Sequence, residues 1–303
     1  MIKIERNCFT ELPDGFVVTD RNIRNHYGDL LNGHRHCILD PGEQSKTGES
    51  YLRIAEELEG EDTITAFGGG VVGDLAGFVA ATYKRGIRLI QVPTSLMAMV
   101  DSSIGGKNGI NVGNRKNHLG TIYQPGDILM DLRFLDTLPI EEFRNGVAEI
   151  IKYAFVFDVD RLKRKIEPTE DLRDVILTCC CLKTKVVEKD EKDKGCRHIL
   201  NFGHTVGHAI ELLYGLRHGE AISIGMVKEM RWAERHGIVE AGRTEQLIFV
   251  LKENGLPTNM KFDRMSEVVE LMKADKKNKN GKIMLAIDED NWNVEVEDIK
   301  SLI

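Results

Sequence analysis

The fold is decided by residues 62–95, DTITAFGGGVVGDLAGFVAATYKRGIRLIQVPTS. Residues 62–70 predict a strand that runs into three glycines, and residues 71–83 predict a helix. Residues 87–95 form a second apolar run that ends at Pro93, as expected for a buried strand. Strand, helix and strand at this spacing indicate a βαβ unit in a parallel sheet.

The residues before this unit continue the same alternation. Strands are predicted over 15–20 and 36–42, and an amphipathic helix over 50–60 that ends at Gly60. The N-terminal part of the chain is therefore predicted to be a Rossmann-like α/β domain.

The second half of the chain has a different pattern, because apolar residues recur at helical spacing from Pro139 onward. The predicted helices cover 140–155, 171–191, 197–215 and 220–237. Strand signals return only near 283–287 and 293–296. We therefore expect an α/β domain over residues 1–139 and a mainly α-helical domain over residues 140–303.

Composition excludes several classes of protein. The chain has 303 residues, 42% of them hydrophobic, which excludes collagen-like and disordered proteins. No apolar run reaches the roughly 18 residues of a membrane span, and the N-terminus lacks the apolar region of a secretory signal. The net charge of −7 argues against a nucleic-acid binder. Six cysteines without framework spacing indicate reduced thiols, so we expect a cytoplasmic protein.

Three glycines mark a candidate nucleotide site. Gly68, Gly70 and Gly73 satisfy GxGxxG between a predicted strand and a predicted helix, where a pyrophosphate could meet backbone N–H groups. The ribose-binding acid expected about 20 residues further on is missing, so Asp20 and Glu43 are the candidates for that contact. A plain tight turn is the alternative. Residues 101–120 are polar and glycine-rich, and they predict a substrate- or phosphate-binding loop.

A polar stripe is the strongest geometric signal in the second half. Its members are spaced 4, 3, 4 and 3 residues apart, so on one helix they form a continuous face: Arg197, Asn201, His204, His208 and Glu211. Such a face lacks the usual mixture of Lys and Glu. We therefore predict a helix that is turned toward a polar site.

A metal site is predicted from the same region. His204 and His208 are four residues apart and could reach one ion, and His218 follows shortly after. Two histidines with Glu149 would make the His₂Glu set of catalytic zinc sites, but spacing does not choose the two histidines. Glu149 and Lys152, taken alone, predict an exposed ion pair.

Six motifs occur in order along the chain and together resemble those of the 3-dehydroquinate synthases. They are GGGVVGDLAGFVAATYKRG (68–86), QVPTSLMAMVDSSIGGKNGIN (91–111), RKNHLGTIYQP (115–125), AEIIKYA (148–154), RHILNFGHTVGHAIE (197–211) and HGEAISIGM (218–226). The resemblance implies a sugar-phosphate cyclase with an NAD-binding domain and a metal-binding helical domain. The metal is usually zinc, with cobalt or another divalent ion as a substitute.

The implied reaction converts 3-deoxy-arabino-heptulosonate 7-phosphate to 3-dehydroquinate and phosphate, in the shikimate pathway of aromatic amino acid biosynthesis. It proceeds by transient oxidation with NAD, elimination of phosphate and intramolecular aldol closure. The resemblance also implies a cytoplasmic homodimer. The rival functions are a sibling sugar-phosphate cyclase, an NAD- and metal-dependent polyol or alcohol dehydrogenase, and a non-catalytic NAD sensor.

The resemblance also implies site residues. The zinc ligands would be Glu149, His204 and His218. The substrate contacts would be Asp101, Lys107, Asn117, Lys152, Lys183, Arg197, Asn201 and His208, with Arg85 reaching across a dimer and Lys276, or its neighbour Lys277, closing the site. The NAD contacts would be Asp20, Asn22, Glu43, Lys46, Gly69, Gly70, Asp74, Thr94, Ser95, Lys107, Lys116 and Thr137.

Overall fold

The computed structural model describes residues 1–113, 115–168, 172–274 and 283–302. The chain divides into two compact units, Met1–Phe143 with Glu170–Thr184 and Arg144–Thr169 with Lys185–Ile303. Two helices, α4 (Ile140–Val156) and α5 (Leu172–Lys189), contribute residues to both units. The domain boundary between residues 139 and 140 stays a prediction.

The first unit contains a six-stranded parallel sheet. The strands of this unit are β1 (Ile2–Glu5), β2 (Phe16–Asp20), β3 (His36–Leu39), β4 (Thr63–Gly68), β5 (Arg88–Pro93), β6 (Lys107–Val112), β7 (Arg115–Ile122) and β8 (Asp127–Asp131). The sheet has the order β1-β8-β5-β4-β2-β3, and all of its strand pairs are parallel. This confirms the predicted α/β fold.

Three α-helices lie wholly within the described residues of this unit: α1 (Arg21–Tyr27), α2 (Gly48–Glu57) and α3 (Gly70–Thr82). Helix α3 is buried along most of its length in the core that strands β2 to β5 also form. Its glycines allow this close approach, because an added Cβ at Gly73 would lie 2.9 Å from Gln91 Oε1. An added Cβ at Gly77 would lie 1.9 Å from Asn108 Oδ1.

The predicted loop over 101–120 is wrong, because most of this segment is strand. Strands β6 and β7 pair antiparallel in a separate two-stranded sheet. The glycines that suggested a loop instead permit tight strand pairing. A Cβ at Gly109 would lie 2.7 Å from the carbonyl oxygen of Leu119, and one at Gly120 would lie 2.6 Å from that of Asn108.

The second unit is mainly helical, as predicted. Besides the greater part of α4 it contains α6 (His204–Tyr214), α7 (His218–Arg235), α8 (Arg243–Glu253), α9 (Met265–Lys273) and the antiparallel pair β9 (Ile283–Leu285) and β10 (Val294–Val296). None of the helices in the described residues combines the length and apolar character that a membrane crossing requires.

The single helix predicted over 197–215 is wrong. A 3₁₀ helix covers Cys196–Asn201. The helical conformation is interrupted at Gly203, which has φ +78°, and α6 begins at the next residue. The reason lies in α7, whose backbone touches this point. A Cβ at Gly203 would lie 2.9 Å from Ile222 O, and one at Gly225 would lie 2.0 Å from Gly203 O. Only glycine suits both the positive φ and the contact.

Candidate active site

Three helices bring a carboxylate and two imidazoles together in the second unit. Glu149 lies in α4, and His204 and His218 are the first residues of α6 and α7. The Nε2 atom of His218 is 3.2 Å from Glu149 Oε1, and the Nε2 atom of His204 is 3.6 Å from it. Glu149 is fully buried. One donor atom from each residue lies within 4.8 Å of the others, so the three can share one ion.

Hydrogen bonds on the far side of each ring determine which nitrogen faces the site. His204 Nδ1 donates to Phe202 O at 3.0 Å, and His218 Nδ1 donates to Glu211 Oε2 at 3.0 Å. Both Nε2 atoms therefore point their lone pairs toward Glu149 when the rings are neutral. Metal-binding histidines are held in this way, and one carboxylate with two imidazoles suits zinc or a similar divalent ion. These residues fit a metal.

The electrostatics of this group favour a cation. Burial alone would lower the pKa of His218, but hydrogen bonds to Glu149 and Glu211 outweigh it and raise that pKa to about 9. The proton on His218 thus occupies a place where two carboxylates attract positive charge. A metal ligand must be deprotonated, so a bound ion would replace this proton.

The ion pair of Glu149 with Lys152 is buried, so the exposed pair predicted from spacing alone is wrong. Only 1% of Lys152 is exposed, and its Nζ lies 5.1 Å from the centre of the Tyr153 ring. Every residue of α4 from Val147 to Val156 is buried, which leaves no solvent-facing side at this point. The pair thus places a cation beside the candidate ligand carboxylate.

A second group of donors lies next to the first. His208, Glu211 and His218 also offer atoms within 4.8 Å of one another, but His208 is exposed. The rings of His204 and His208 have centroids 5.0 Å apart, and those of His208 and His218 are 6.1 Å apart. Neither group contains both His204 and His208, so the geometry gives no support to joint ligation by that pair.

The predicted polar stripe does not form one face, because the break at Gly203 separates its members. Arg197 and Asn201 lie on the 3₁₀ helix, whereas His204 and His208 lie on α6. The Arg197 side chain is buried and donates from Nη1 to Glu191 O at 2.8 Å.

In the first unit, the glycine turn has the form of an anion cradle. Strand β4 ends at Gly68 and α3 begins at Gly70, and the backbone N–H of Thr94 donates to Gly68 O at 3.0 Å. The N-cap residue Gly69 provides no side-chain cap for α3. A Cβ at Gly70 would lie 3.1 Å from Ser102 Oγ, so a larger residue at this position would crowd the Ser102 hydroxyl. A dinucleotide pyrophosphate fits such a helix start.

A polar network in the first unit links Glu43 to Asn111 and Asn117, which are distant from Glu43 in the sequence. Glu43 accepts a hydrogen bond from Asn111 Nδ2 at 2.8 Å, and Asn111 Oδ1 accepts one from the backbone N–H of Asn117 at 2.8 Å. Lys46, which is buried, pairs with Asp74. Burial raises the pKa of Asp74, and Lys46 opposes the rise.

The comparisons with known proteins decide the family. The N-terminal model of 3-dehydroquinate synthase matches residues 36–145, and the C-terminal model matches residues 146–278. The 3-dehydroquinate synthase of Clostridium botulinum (strain Alaska E43 / Type E3) is 41% identical over 90% of this chain and 84% of its own length. That of Clostridium beijerinckii is 40% identical over 87% of this chain and 81% of its own.

The chain belongs to the 3-dehydroquinate synthase family. The resemblance seen in the sequence motifs is thereby confirmed.

Solved structures show the same fold. A 2-epi-5-epi-valiolone synthase from Streptomyces hygroscopicus subsp. jinggangensis 5008, with NAD⁺ and Zn²⁺ bound, has a TM-score of 0.85 at 23% identity, covering 100% of this chain and 94% of that one. A 2-deoxy-scyllo-inosose synthase complexed with carbaglucose-6-phosphate, NAD⁺ and Co²⁺ has a TM-score of 0.84 at 24% identity, covering 99% and 94%. At this identity they establish the fold alone.

The other residues predicted for NAD make different hydrogen bonds in this member of the 3-dehydroquinate synthase family. Asp20 caps α1 by accepting from the N–H groups of Asn22 and Ile23 at 2.8 and 3.0 Å. Thr137 Oγ1 lies 3.0 Å from Tyr27 Oη, and Ser95 Oγ accepts from Ala98 N at 3.3 Å. Their roles toward NAD stay predictions.

The substrate residues predicted in the first unit include one close pair. Lys183 forms an ion pair with Asp101 and also donates to its carbonyl oxygen at 2.6 Å. The remaining cations of this set, Arg85 and Lys107, are exposed, as is Lys116, which is predicted for NAD. The predicted Lys276, like its neighbour Lys277, lies outside the described residues.

Sequence reasoning missed two asparagines, one in each unit, that hold predicted site residues in place. Asn145 on α4 accepts from the backbone N–H of Gly219 at 2.9 Å and thereby fixes the residue that follows His218. Asn111 joins Glu43 to Asn117 across 68 and 6 residues of sequence. An isolated asparagine carries no spacing signal, so only the folded chain reveals these contacts.

Proposed function

We propose that this protein is a 3-dehydroquinate synthase that uses NAD and a divalent metal, zinc or cobalt, to convert 3-deoxy-arabino-heptulosonate 7-phosphate to 3-dehydroquinate and phosphate. One observation carries the proposal. Two imidazoles and a carboxylate converge in a chain that matches curated 3-dehydroquinate synthases at 41% identity over 90% of its length. The NAD⁺ and metal named for the two similar structures support the choice of cofactors.

Glu149, His204 and His218 would hold the metal through Oε1 and the two Nε2 atoms. A divalent ion at this position supplies a Lewis acid that polarises a substrate hydroxyl and eases loss of its proton. Glu211 keeps the His218 ring oriented from behind, through the hydrogen bond of 3.0 Å to Nδ1. The metal position is thus defined by side chains that have little freedom to move.

His208 is the proposed proton-handling group. It is exposed and lies one turn along α6 from His204, with its ring centroid 6.1 Å from that of His218. An imidazole there can donate a hydrogen bond to the substrate phosphate and exchange a proton through a ring nitrogen. Asn201 is proposed as a hydrogen-bonding partner of the substrate.

The glycine turn of the first unit is the proposed NAD site, with the pyrophosphate at Gly69 and Gly70. NAD held there would supply a reversible hydride acceptor for the transient oxidation of the substrate. The other proposed contacts are Asp20, Asn22, Glu43, Lys46, Asp74, Thr94, Ser95, Lys107, Lys116 and Thr137. In support, α3 starts without a side-chain cap at Gly69 and an added Cβ at Gly70 would meet Ser102 Oγ at 3.1 Å.

Cationic side chains are the proposed binding groups for the substrate, which carries a carboxylate and a phosphate. Such groups are needed because the protein as a whole has a net charge of −7. The proposed contacts are Arg85, Asp101, Lys107, Asn117, Lys152, Lys183, Arg197 and Lys276. We also propose that the boundary between the two domains lies between residues 139 and 140.

We also propose a cytoplasmic homodimer in which Arg85 contacts the substrate of the partner. Lys84 and Arg85 are consecutive non-glycine residues with positive φ, +50° and +68°. Such conformations cost of order 1–3 kcal/mol and cluster at functional positions. We expect Arg85→Ala to raise KM for the phosphorylated substrate about tenfold with little change in thermal stability, as steady-state kinetics and a melting curve would measure. An unchanged KM would contradict the role.

The test of the proposed function is release of phosphate by the purified protein with substrate, NAD and zinc. A chelator control and identification of the product complete it. We expect chelator-sensitive phosphate release and 3-dehydroquinate, without net NADH. Accumulating NADH would instead indicate a dehydrogenase, and turnover of another sugar phosphate a sibling cyclase. A folded protein that binds NAD and zinc but releases no phosphate from any sugar phosphate would be a sensor.

Asp74→Ala is expected to weaken NAD binding about tenfold, the value of a lost charge-assisted contact. It should also lower thermal stability, because Lys46 is then buried without its anionic partner. Titration with NAD, followed by quenching of the protein's tryptophan fluorescence, would measure the first effect, and a melting curve would measure the second.

The double variant Asp74→Ala/Lys46→Met is the control for that ion pair. It should recover thermal stability, because no buried cation is left, while NAD binding stays weak. Wild-type NAD affinity in Asp74→Ala would reduce Asp74 to an acid at the start of a helix.

A further inference from the structure

Glu229 is a fully buried carboxylate on α7 that the scheme above does not use. Its Oε2 atom accepts a hydrogen bond from the backbone N–H of Gly203 at 2.8 Å. Its Oε1 atom accepts two more, from the N–H groups of Thr205 and Val206, each at 3.1 Å. Both carboxylate oxygens are therefore committed to the backbone at the start of α6.

Helix α6 needs such a partner because it cannot cap itself. The first N–H groups of a helix have no acceptors within it, and a side chain at the N-cap usually supplies them. Here the N-cap is Gly203, which has no side chain. Glu229 supplies the missing acceptor from another helix, and its negative charge suits the positive end of the α6 dipole.

The same bonds fix the metal ligand His204. This residue lies between Gly203 and Thr205, and the backbone N–H groups of both neighbours donate to Glu229. The ring of His204 is in turn held by its bond to Phe202 O. The two helices also touch directly, since a Cβ at Gly225 of α7 would lie 2.0 Å from Gly203 O.

We propose that Glu229 is a positioning residue for the metal site. It sets His204 relative to His218, because His218 begins the helix that carries Glu229. The inference rests on the proposed function only in requiring a metal at Glu149, His204 and His218. Its consequence is that a side chain outside the ligand set controls metal affinity and ligand geometry.

The experiment compares full-length wild-type protein with Glu229→Gln. Cobalt is added to metal-free protein, and its affinity is measured by competition with a chelator. The visible d–d absorption of bound cobalt reports ligand geometry directly. The amide keeps the size of the side chain but turns an NH₂ group toward backbone N–H donors. We expect cobalt affinity to fall 10- to 100-fold, as for other outer-sphere partners, with an altered absorption spectrum.

Glu234→Gln is the matched control. Glu234 lies on the same helix and caps α8 in the same way, accepting from Gly242 N at 2.7 Å and from Thr244 N at 2.9 Å. The N-cap of α8 is also a glycine with positive φ. This variant should lose thermal stability but keep the cobalt affinity and spectrum of the wild type, because α8 carries no ligand.

The outcomes separate the inference from its premises. Glu229→Gln with lowered stability but wild-type cobalt affinity and spectrum would overturn it and leave Glu229 as a helix cap. If this variant does not fold, Glu229→Asp is measured, whose shorter carboxylate should still alter the cobalt spectrum; a wild-type spectrum would overturn the inference. A wild-type protein that binds no cobalt, or His204→Ala with unchanged cobalt affinity, would overturn the metal assignment itself.

Discussion

Replacing His204 with alanine is expected to remove the bound metal and, with it, nearly all turnover. His204 provides one of only three donors in its group, and no other described histidine joins Glu149 and His218 there. A bound metal contributes several kcal/mol of transition-state stabilisation. Since each 1.36 kcal/mol corresponds to a factor of ten, kcat/KM should fall by a factor of about 10³ or more.

Metal content of the purified variant and its rate of phosphate release would measure these losses together. His208→Ala is the matched control, because His208 lies on the same helix one turn away. It should retain the metal and lose turnover, because the proposed contact of His208 with the substrate is removed.

The second donor group, His208 with Glu211 and His218, makes the opposite prediction for these two variants. If it held the metal, His208→Ala would lose the ion and His204→Ala would keep it. Stoichiometric zinc and full turnover in His204→Ala would therefore contradict the assignment.

The parts of the fold that were predictable depend on local sequence. The βαβ unit follows from apolar runs and glycines within residues 62–95, and the structure has β4, α3 and β5 there. Helix α4 was predicted over 140–155 and is found over Ile140–Val156 for the same reason. Apolar residues recur at helical spacing along α4, and no glycine or proline within it ends the helix.

The parts that were not predictable depend on contacts between distant residues. The sequence alone does not distinguish Gly203 from a glycine inside a helix. Only the contact with α7 shows why the predicted helix over 197–215 is interrupted there. The sequence of β6 and β7 predicts a loop, because glycine usually disfavours strands. In this chain Gly109 and Gly120 face each other's backbone too closely for any side chain.

The candidate site likewise has features that the sequence predicts and features that only the folded chain shows. Spacing suggested a metal and nominated three histidines, but it could not choose between them. The folded chain places Glu149 beside His218 across 69 residues of sequence and leaves His208 exposed in the other group. The choice of Glu149, His204 and His218 came from the family resemblance, and the geometry supports it.

Among these variants, Lys152→Met should cause the largest fall in the free energy of unfolding. The size of the fall should depend on whether a metal is bound. Breaking a buried ion pair by removing one partner costs about 3–5 kcal/mol, because the other charge stays buried. Glu149 is fully buried, but the His218 imidazole shares its carboxylate at 3.2 Å. We therefore expect the free energy of unfolding of the metal-free protein to fall by about 3 kcal/mol, the lower end of that range.

The metal-loaded protein should lose much less, because a divalent ion on Glu149 takes over the role of the lysine charge. Urea unfolding with and without zinc would measure both losses. The double variant Lys152→Met/Glu149→Gln is the control: it leaves no unpaired charge, so it should regain stability without metal yet fail to gain any from zinc. Equal losses with and without zinc in Lys152→Met would mean that the ion does not bind Glu149. Dependence of the loss on zinc would tie this buried pair to the metal site.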